Sequence, residues 1–388
     1  MPSSLTFFPV GNGDMTLITL DNDQKLLIDI NVRKASDDEN DDTPDVMSML
    51  REKLNRDSEG RLVLDGFLLS HPDKDHITGL EAHFHLGEPD DWVKDDDKII
   101  IREMWSSPIV FRRASKSHTL CADAKAWAKE ARRRVKLYRD TGVISAEGDR
   151  IQILGEDEDG KTDDILAIVV SVDDLVTSLN CVDTSAFEGR LLAPISNDDV
   201  DDTDKLDKNH SSVIIRFSIS GDGYADKCRF LSGGDAEVVI WEHLWNKHGN
   251  DQSDWLSYDI LQAPHHCSWH SLSYDSYSDM GEDAEVNDDA RSALAQIRKG
   301  AVIVASSKSI DPDDADPPSD RAKREYVSIA DGDESRFKCV SDIWDEDEAP
   351  LVYEITSSGV LKGLKTATKS AAIGLGLGSI GAQARGHG

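Results

Sequence analysis

The 388 residues suffice for one large or two ordinary domains, and 38% apolar content is enough for a real core. Lys plus Arg total 43 against 75 Asp plus Glu, a net charge of −32 that excludes a nonspecific DNA-coating protein by long-range repulsion. A nuclease stays open, because bound divalent ions and a local basic patch reverse the sign at a site. Cys121, Cys181, Cys228, Cys267 and Cys339 are odd in number and widely spaced without C-x-x-C, which speaks against a disulfide scaffold and for a reducing compartment.

In chain order, residues 5–10 and 15–20 predict two strands around the turn Gly11-Asn12-Gly13-Asp14. Residues 25–30 predict a third strand that ends at Asp29, completing an N-terminal β-meander. The first strand begins within a few residues of Met1 and no run approaches ~18 apolar residues, so neither signal peptide nor membrane span is expected and the cytoplasm is the expected location. Asp-rich stretches at 37–45, 89–97, 156–164, 197–207, 311–316 and 342–348 predict solvated loops, too charged to bury. Residues 46–54 predict a helix feeding the apolar run 62–70, which reads as a buried strand.

Directly after that run stand His71, Asp73, Asp75 and His76, all on one tight loop, followed by helical character over 77–84. Imidazole nitrogen and carboxylate oxygen suit zinc, manganese or iron. Residues 98–104 predict a strand and 119–139 a helix, with Leu120, Ala124, Trp127, Ala131, Val135 and Tyr138 as its apolar stripe. Opposite that stripe Lys125, Lys129, Arg132, Arg133 and Lys136 form a basic face, next to Arg112, Arg113 and Lys116. Such a face fits a track for a phosphate backbone; it equally fits a solvated helix, or a dock for an acidic partner or for this chain's own acidic loops.

Residues 151–154, 165–172, 212–219 and 229–231 predict strands. The last runs into Gly233-Gly234-Asp235, where glycines admit close backbone approach and a carboxylate stands at the strand end, a pattern that also suits a helix N-cap. Residues 238–247 predict a helix. Residues 258–263 predict a strand ending at Pro264-His265-His266-Cys267-Ser268, with two imidazoles at its terminus; 290–298 then predict a helix and 300–306 a strand. The remaining histidines (His83, His85, His118, His243, His248, His270 and His387) lack ligand spacing and are expected at surface or core positions. Strands and helices with polar residues at strand ends predict a layered α/β sandwich with its site along one edge. The division expected is 1–362 for one domain with acidic loop insertions and 363–388 for a flexible Gly- and Ala-rich tail.

These motifs, in this order, resemble the metallo-β-lactamase superfamily, whose loop H-x-H-x-D-H is followed by a metal-bridging Asp and a terminal His. Within it the chain is most similar to the hydrolase domain of ComEC-type DNA-uptake proteins and their free-standing relatives. The G-x-G-D turn is Gly11 to Asp14, the loop S-H-x-D-x-D-H-x-x-G is Ser70 to Gly79, and N-x-x-S is Asn209 to Ser212. G-D-x-E is Gly234 to Glu237, and P-H-H-G-S is Pro264 to Ser268 with Cys267 in place of Gly. The resemblance covers residues 5–310. It implies an αββα sandwich, two mixed sheets flanked by helices, holding two divalent ions (Zn2+ or Mn2+). His71 and Asp73 would hold the first ion. Asp75, His76 and one of His265 or His266 would hold the second, and Asp235 would bridge. Asp29 would support the loop through hydrogen bonds, with Asp14, Asn209 and His210 as further supports.

Three departures matter. Asp73 replaces the superfamily's middle His and favours harder ions such as manganese. The third-motif His has no clear match, with His210 or Asn209 in that space. Cys267 is a small buried filler or a soft ligand. The activity implied is metal-dependent hydrolysis, led by phosphodiester cleavage of DNA through an activated water, with Asp75, His265 and His266 as catalytic candidates and the metal-free member of the His pair as proton donor. A small phosphodiester or other ester, or an interaction subunit with a degenerate site, are the alternatives. The partners expected are DNA through the basic helix and a protein of a multi-component system; the uptake role is not implied, because the chain carries no membrane part.

Overall fold

The expected meander forms: β1 (Ser3–Phe7), β2 (Thr16–Thr19) and β3 (Lys25–Ile28) pair antiparallel in sequence order. In this computed structural model, which describes residues 2–37, 41–111, 120–157, 160–195, 211–313 and 316–362, helix α1 (Val46–Lys53) then leads to β4 (Leu62–Leu69), which joins β3 in parallel. β5 (Ile99–Ser106) and β6 (Arg150–Leu154) extend the sheet in parallel, with helix α2 (Ala122–Thr141) crossing between them. Asn209, His210, Arg112, Arg113, Lys116, His118, His387, the 197–207 stretch and the 363–388 tail lie outside the described residues.

The second sheet runs β7 (Phe187–Ala193), β8 (Ile214–Gly221), β9 (Tyr224–Ser232), β10 (Tyr258–Gln262) and β11 (Ile297–Ala305), antiparallel from β7 to β9 and parallel from β9 onward. β12 (Leu351–Thr356) returns to pair with β1 in the first sheet. Helices α3 (Val238–His248), α4 (Asp288–Leu294), α5 (Asp320–Ile329) and α6 (Val340–Asp347) complete the second half.

Alternation along the strands divides the apolar side chains into three layers. Leu26, Ile28 and Leu68 meet Ile215, Phe217, Phe230 and Ile260 between the sheets. Leu27, Phe67 and Ile101 face the other way, onto Trp127, Ala131 and Val135 of α2. Ile214, Leu231, Leu261 and Ile303 pack beneath Trp241, Leu244, Leu294 and Tyr326 of α3, α4 and α5. Two mixed sheets covered on both outer faces by helices are the αββα sandwich that the resemblance implied.

Local departures have local causes. The strand expected at 165–172 is a 3-10 turn, Leu166–Ile168, and a two-residue strand, Val169–Val170, because Ile165 and Ile168 fill the α2 layer at a spacing of three. The helix expected at 290–298 starts at Asp288, capped by Asn287, and stops at Leu294; Ile297 is drawn into the parallel ladder opposite Tyr258. The acidic stretch 342–348 is mostly α6 rather than a loop, since Val340 and Ile343 bury one side of that helix. No described helix is long and apolar enough to cross a membrane.

Candidate metal centre

Three strand ends converge. The 71–76 loop leaves β4, Asp235 follows β9, and the His265-His266 pair follows β10. The sheets are stitched together here: Val213 N donates to Ser70 O at 2.9 Å and Thr16 Oγ1 to Gln262 Oε1 at 3.1 Å, while within the second sheet His265 N donates to Gly234 O at 2.9 Å. Gly13 lies so close to the loop that a Cβ would come 2.7 Å from Asp75 O and 2.2 Å from Asn31 Nδ2; its φ of +148° adds a second reason for glycine. That approach lets Asp14 N bond Asp75 O at 3.2 Å. The N-terminus of α2 braces the loop's exit, where Asp123 accepts from Gly79 N at 3.0 Å and Glu81 N at 2.9 Å.

The two oxygens of Asp235 face different partners. Oδ1 lies 2.9 Å from His76 Nε2 and 3.6 Å from His266 Nε2. Oδ2 lies 3.4 Å from His71 Nε2 and 3.6 Å from His265 Nε2. Asp73 Oδ2 joins the His71 side at 3.6 Å, and Asp75 Oδ2 joins the His266 side at 3.3 Å. A backbone feature makes this possible. His265, His266 and Cys267 are consecutively left-handed, at φ of 49°, 54° and 70°, so the adjacent imidazoles splay to opposite sides of one carboxylate. Left-handed non-glycine residues cost on the order of 1 kcal/mol or more each, and the surrounding hydrogen bonds hold them there. Cys267 is fully buried in the α3–α5 layer, the filler role rather than an open thiol.

Behind the rings stand further carboxylates. Asp29 accepts Ser70 N at 2.7 Å and Ser70 Oγ at 2.5 Å, and contacts His76 Nδ1 at 2.7 Å. Asp14 lies 3.4 Å from His266 Nδ1 and 3.8 Å from His76 Nδ1. Asp14, His76, Asp235 and His266, all buried, each bring one ligand-capable atom within 4.8 Å of the others.

The donor set asks for cations. His71 Nδ1 and Nε2, His76 Nε2, His266 Nδ1 and Nε2, His265 Nδ1, Asp235 Oδ1 and Asp14 Oδ1 are buried without a hydrogen-bond partner among the described residues. Buried polar atoms in native proteins are nearly always satisfied, so a cluster of orphans on three loops fits metal ligation. Electrostatics agrees. Burial works against the charged His266, yet Asp235, Asp14 and Asp75 outweigh it and push the imidazole up to about 10. His76 moves up in the same way, burial being outweighed by Asp235 and Asp29. Burial alone would raise Asp75, but His266 and His76 bring it down to about 2. Asp235, fully buried, is drawn below the carboxylate range by four imidazoles. The field that draws His76 and His266 toward their charged forms is one that divalent ions would satisfy equally.

The other expected residues are less concentrated. Of the basic face, Arg133 bonds Glu130, Glu88 and Asp149, Arg132 Nε bonds Val110 O, and Lys136 pairs with Asp140. Lys125 and Lys129 remain exposed, beside a groove of about 770 Å3 that Lys98, Phe84, His85 and Glu81 also line. Asp14's place behind two rings was signalled only by the Gly-x-Gly-Asp turn.

No family model matches the chain, and no curated protein matches it. Among solved structures, an isothiocyanate hydrolase from Delia radicum gut bacteria shares 13% identity, covering 87% of this chain and 96% of the other at a TM-score of 0.36. A diphosphatase of the PhnP family shares 11% identity, covering 78% and 85% at a TM-score of 0.31. The fold assignment rests on the chain's own sheets, layers and strand ends.

Proposed function

We propose that this chain is a metal-dependent hydrolase of phosphodiesters, with DNA as its leading substrate and two divalent ions seated on either side of Asp235. The observation that carries the reading is the division of partners between the two oxygens of Asp235. His71, Asp73 and His265 would hold one ion with Oδ2; Asp75, His76 and His266 would hold the other with Oδ1. His265 then fills the place of the missing third-motif His, and neither imidazole of the pair is left over as a proton donor. Bound there, divalent ions supply Lewis acidity to a phosphoryl oxygen and bring the pKa of a water toward neutrality.

The chain's own groups do the rest. Asp29 holds the Nδ1 side of His76, so Nε2 faces inward, and Asp14 does the same for His266. Asp75, whose side chain is 41% exposed, stands at the mouth and stays ionised at neutral pH. The carboxylates Asp73, Asp75 and Asp235 favour hard ions, with manganese ahead of zinc. Lys125 and Lys129 are the exposed cations that a phosphate backbone would meet. A small phosphodiester is the second reading, supported by the pairing of Arg133 and Lys136 with the chain's own acids, which shortens any track for a polymer.

The test is hydrolysis of single- and double-stranded DNA and of an aryl phosphodiester, scanned over manganese, zinc and magnesium, beside Asp235→Ala and His76→Ala. Metal-dependent DNA cutting lost in both variants is the expected result. Lys125→Glu/Lys129→Glu should raise KM for DNA several-fold and leave the aryl substrate unchanged. Aryl hydrolysis without DNA cutting favours the small substrate. A protein that takes up no metal and hydrolyses neither overturns the hydrolase reading in favour of an interaction subunit.

A further inference from the structure

Away from the metal centre, β7, β8 and β9 carry Arg190, Arg216 and Arg229 on one face of the second sheet. Ile215 and Phe217 point between the sheets, so Arg216 points outward, under the turn Ser253–Leu256 and the end of α3. Arg190 and Arg216 are direct register partners, and Arg229 pairs with Ser218, two positions from Arg216 on the same face. Like charges directly opposite on a sheet are destabilising unless something sits between them.

The acids nearby are committed elsewhere. Arg229 takes Asp226 at 2.9 Å and Asp254 at 2.6 Å, and Ser257 Oγ accepts from it as well. Asp226 also receives Ser218 Oγ, and Asp173 pairs with Lys247 at 2.8 Å. Arg190 lies over the Trp255 ring at 3.9 Å and donates through Nη1 to Asp173 O at 2.6 Å. Arg216 is only 9% exposed, and its Nε, like that of Arg190, has no hydrogen-bond partner among the described residues. Burial, together with Arg229 and Arg190, lowers its affinity for its own proton. A guanidinium nitrogen buried without an acceptor is a costly arrangement, and Asp226 and Asp254 offset the charge only from a distance.

We propose that Arg216 and Arg190 bind a phosphate-class oxyanion at the outer face of the second sheet, beside Trp255. Paired guanidiniums offer several N–H donors in planar forks that suit tetrahedral and planar oxyanions, and cross-strand partners stand ~5 Å apart, close enough to grip one such group from both sides. This site is independent of the hydrolase reading.

The experiment is thermal unfolding of the full metal-loaded chain with increasing inorganic phosphate, at ionic strength held constant with sodium chloride. Phosphate also meets any metal centre, so the titration is repeated in Asp235→Ala. A saturable rise in Tm in both proteins is expected. Arg216→Met should abolish the rise in the Asp235→Ala background and, by removing an unpaired buried charge, unfold at a higher temperature than its parent in chloride alone. Should Arg216→Met fail to fold, Arg190→Gln, which leaves Arg216 charged, should weaken phosphate at least tenfold. An equal rise with 5′-AMP means that a terminal phosphate is accepted, and a rise with phosphate alone confines the site to the free ion. A rise of the same size in the arginine variants, or none in Asp235→Ala, overturns the proposal.

Discussion

The 71–76 loop and helix α2 are both dense in charge, and they differ in what meets that charge. On α2 Arg133, Arg134, Lys136 and Arg139 have acids of the same chain beside them. Arg134, buried, bonds Glu130 at 2.8 Å; Arg133 bonds Glu130 and Asp149; Arg139 bonds Asp164. At the loop the order is reversed. Imidazoles and carboxylates lie together with most of their ring nitrogens unbonded among the described residues, His76 Nδ1 on Asp29 excepted, and the nearest groups are more ligands. A charged run becomes a binding site where the fold withholds its partners, and a structural network where it supplies them.

The comparison breaks most visibly at Asp235. Asp235→Ala removes the carboxylate common to both halves of the cluster, so on the proposed two-ion reading metal content should fall from two ions per chain to well under one, and hydrolysis by at least ~10³-fold. Metal analysis of the purified variant reads the first directly; retention of two ions would show that the halves do not share Asp235. On α2 the corresponding cut is Glu130→Ala. It leaves Arg134 buried without its partner and should destabilise the fold by ~3–5 kcal/mol in denaturant unfolding, while the surviving folded protein keeps its metal. If metal content fell in step with stability, the separation between structural network and site would be wrong. Smaller is Asp29→Asn. Ser70 N keeps an acceptor, but the His76 ring loses its carboxylate, so metal affinity measured by calorimetry should drop ~10–100-fold with little change in unfolding. Unchanged affinity would reduce Asp29 to a loop support.

Much of this was legible in the sequence because the informative residues are local. His71 to His76 fall in one loop after one apolar strand, and Asp235 and the His pair each end another, so strand ends alone placed them on an edge. The roles of His265 and His266 were not legible, because adjacent residues are told apart only by three successive left-handed backbones, which no pattern of side chains announces at His-His-Cys. The charge of α2 was legible only as alternatives: a phosphate track, a solvated face, or a dock for an acidic partner or for the chain's own acidic loops. Its basic face is plain in the sequence, but Asp149 and Asp164, which share its cations, come from segments beyond the helix. Strand β7 escaped because Glu188, Gly189 and Arg190 interrupt its apolar residues; it is held by its register with β8. Arg216 lies within the strand expected at 212–219, and only the register with β7 sets it opposite another arginine.

A buried acid far from the metal cluster gives the smallest and cleanest contrast. Glu103 in β5 is almost fully buried and accepts Trp105 Nε1 at 2.9 Å and Asn180 N at 2.8 Å. Burial raises its carboxyl above the ordinary glutamate value, and these donors offset only part of that. A raised folded-state pKa means the native protein holds this proton more tightly than the unfolded chain does. Its contribution is therefore fully present below the unfolded value of about 4.3 and is lost as pH rises through the raised folded value. At neutral pH burial makes Glu103 a net cost to the fold, unlike Asp75 of the metal loop, whose carboxyl His266 and His76 bring down. Glu103→Gln keeps an oxygen for Trp105 and Asn180 and carries no charge, so it should stabilise the chain at pH 7 by on the order of 1 kcal/mol. The gain should shrink toward zero as the pH is lowered to about 4, with metal content unaffected throughout. Unfolding curves of the two proteins at both pH values decide it: a gain that is equal at pH 4 and pH 7 would come from packing and not from the proton.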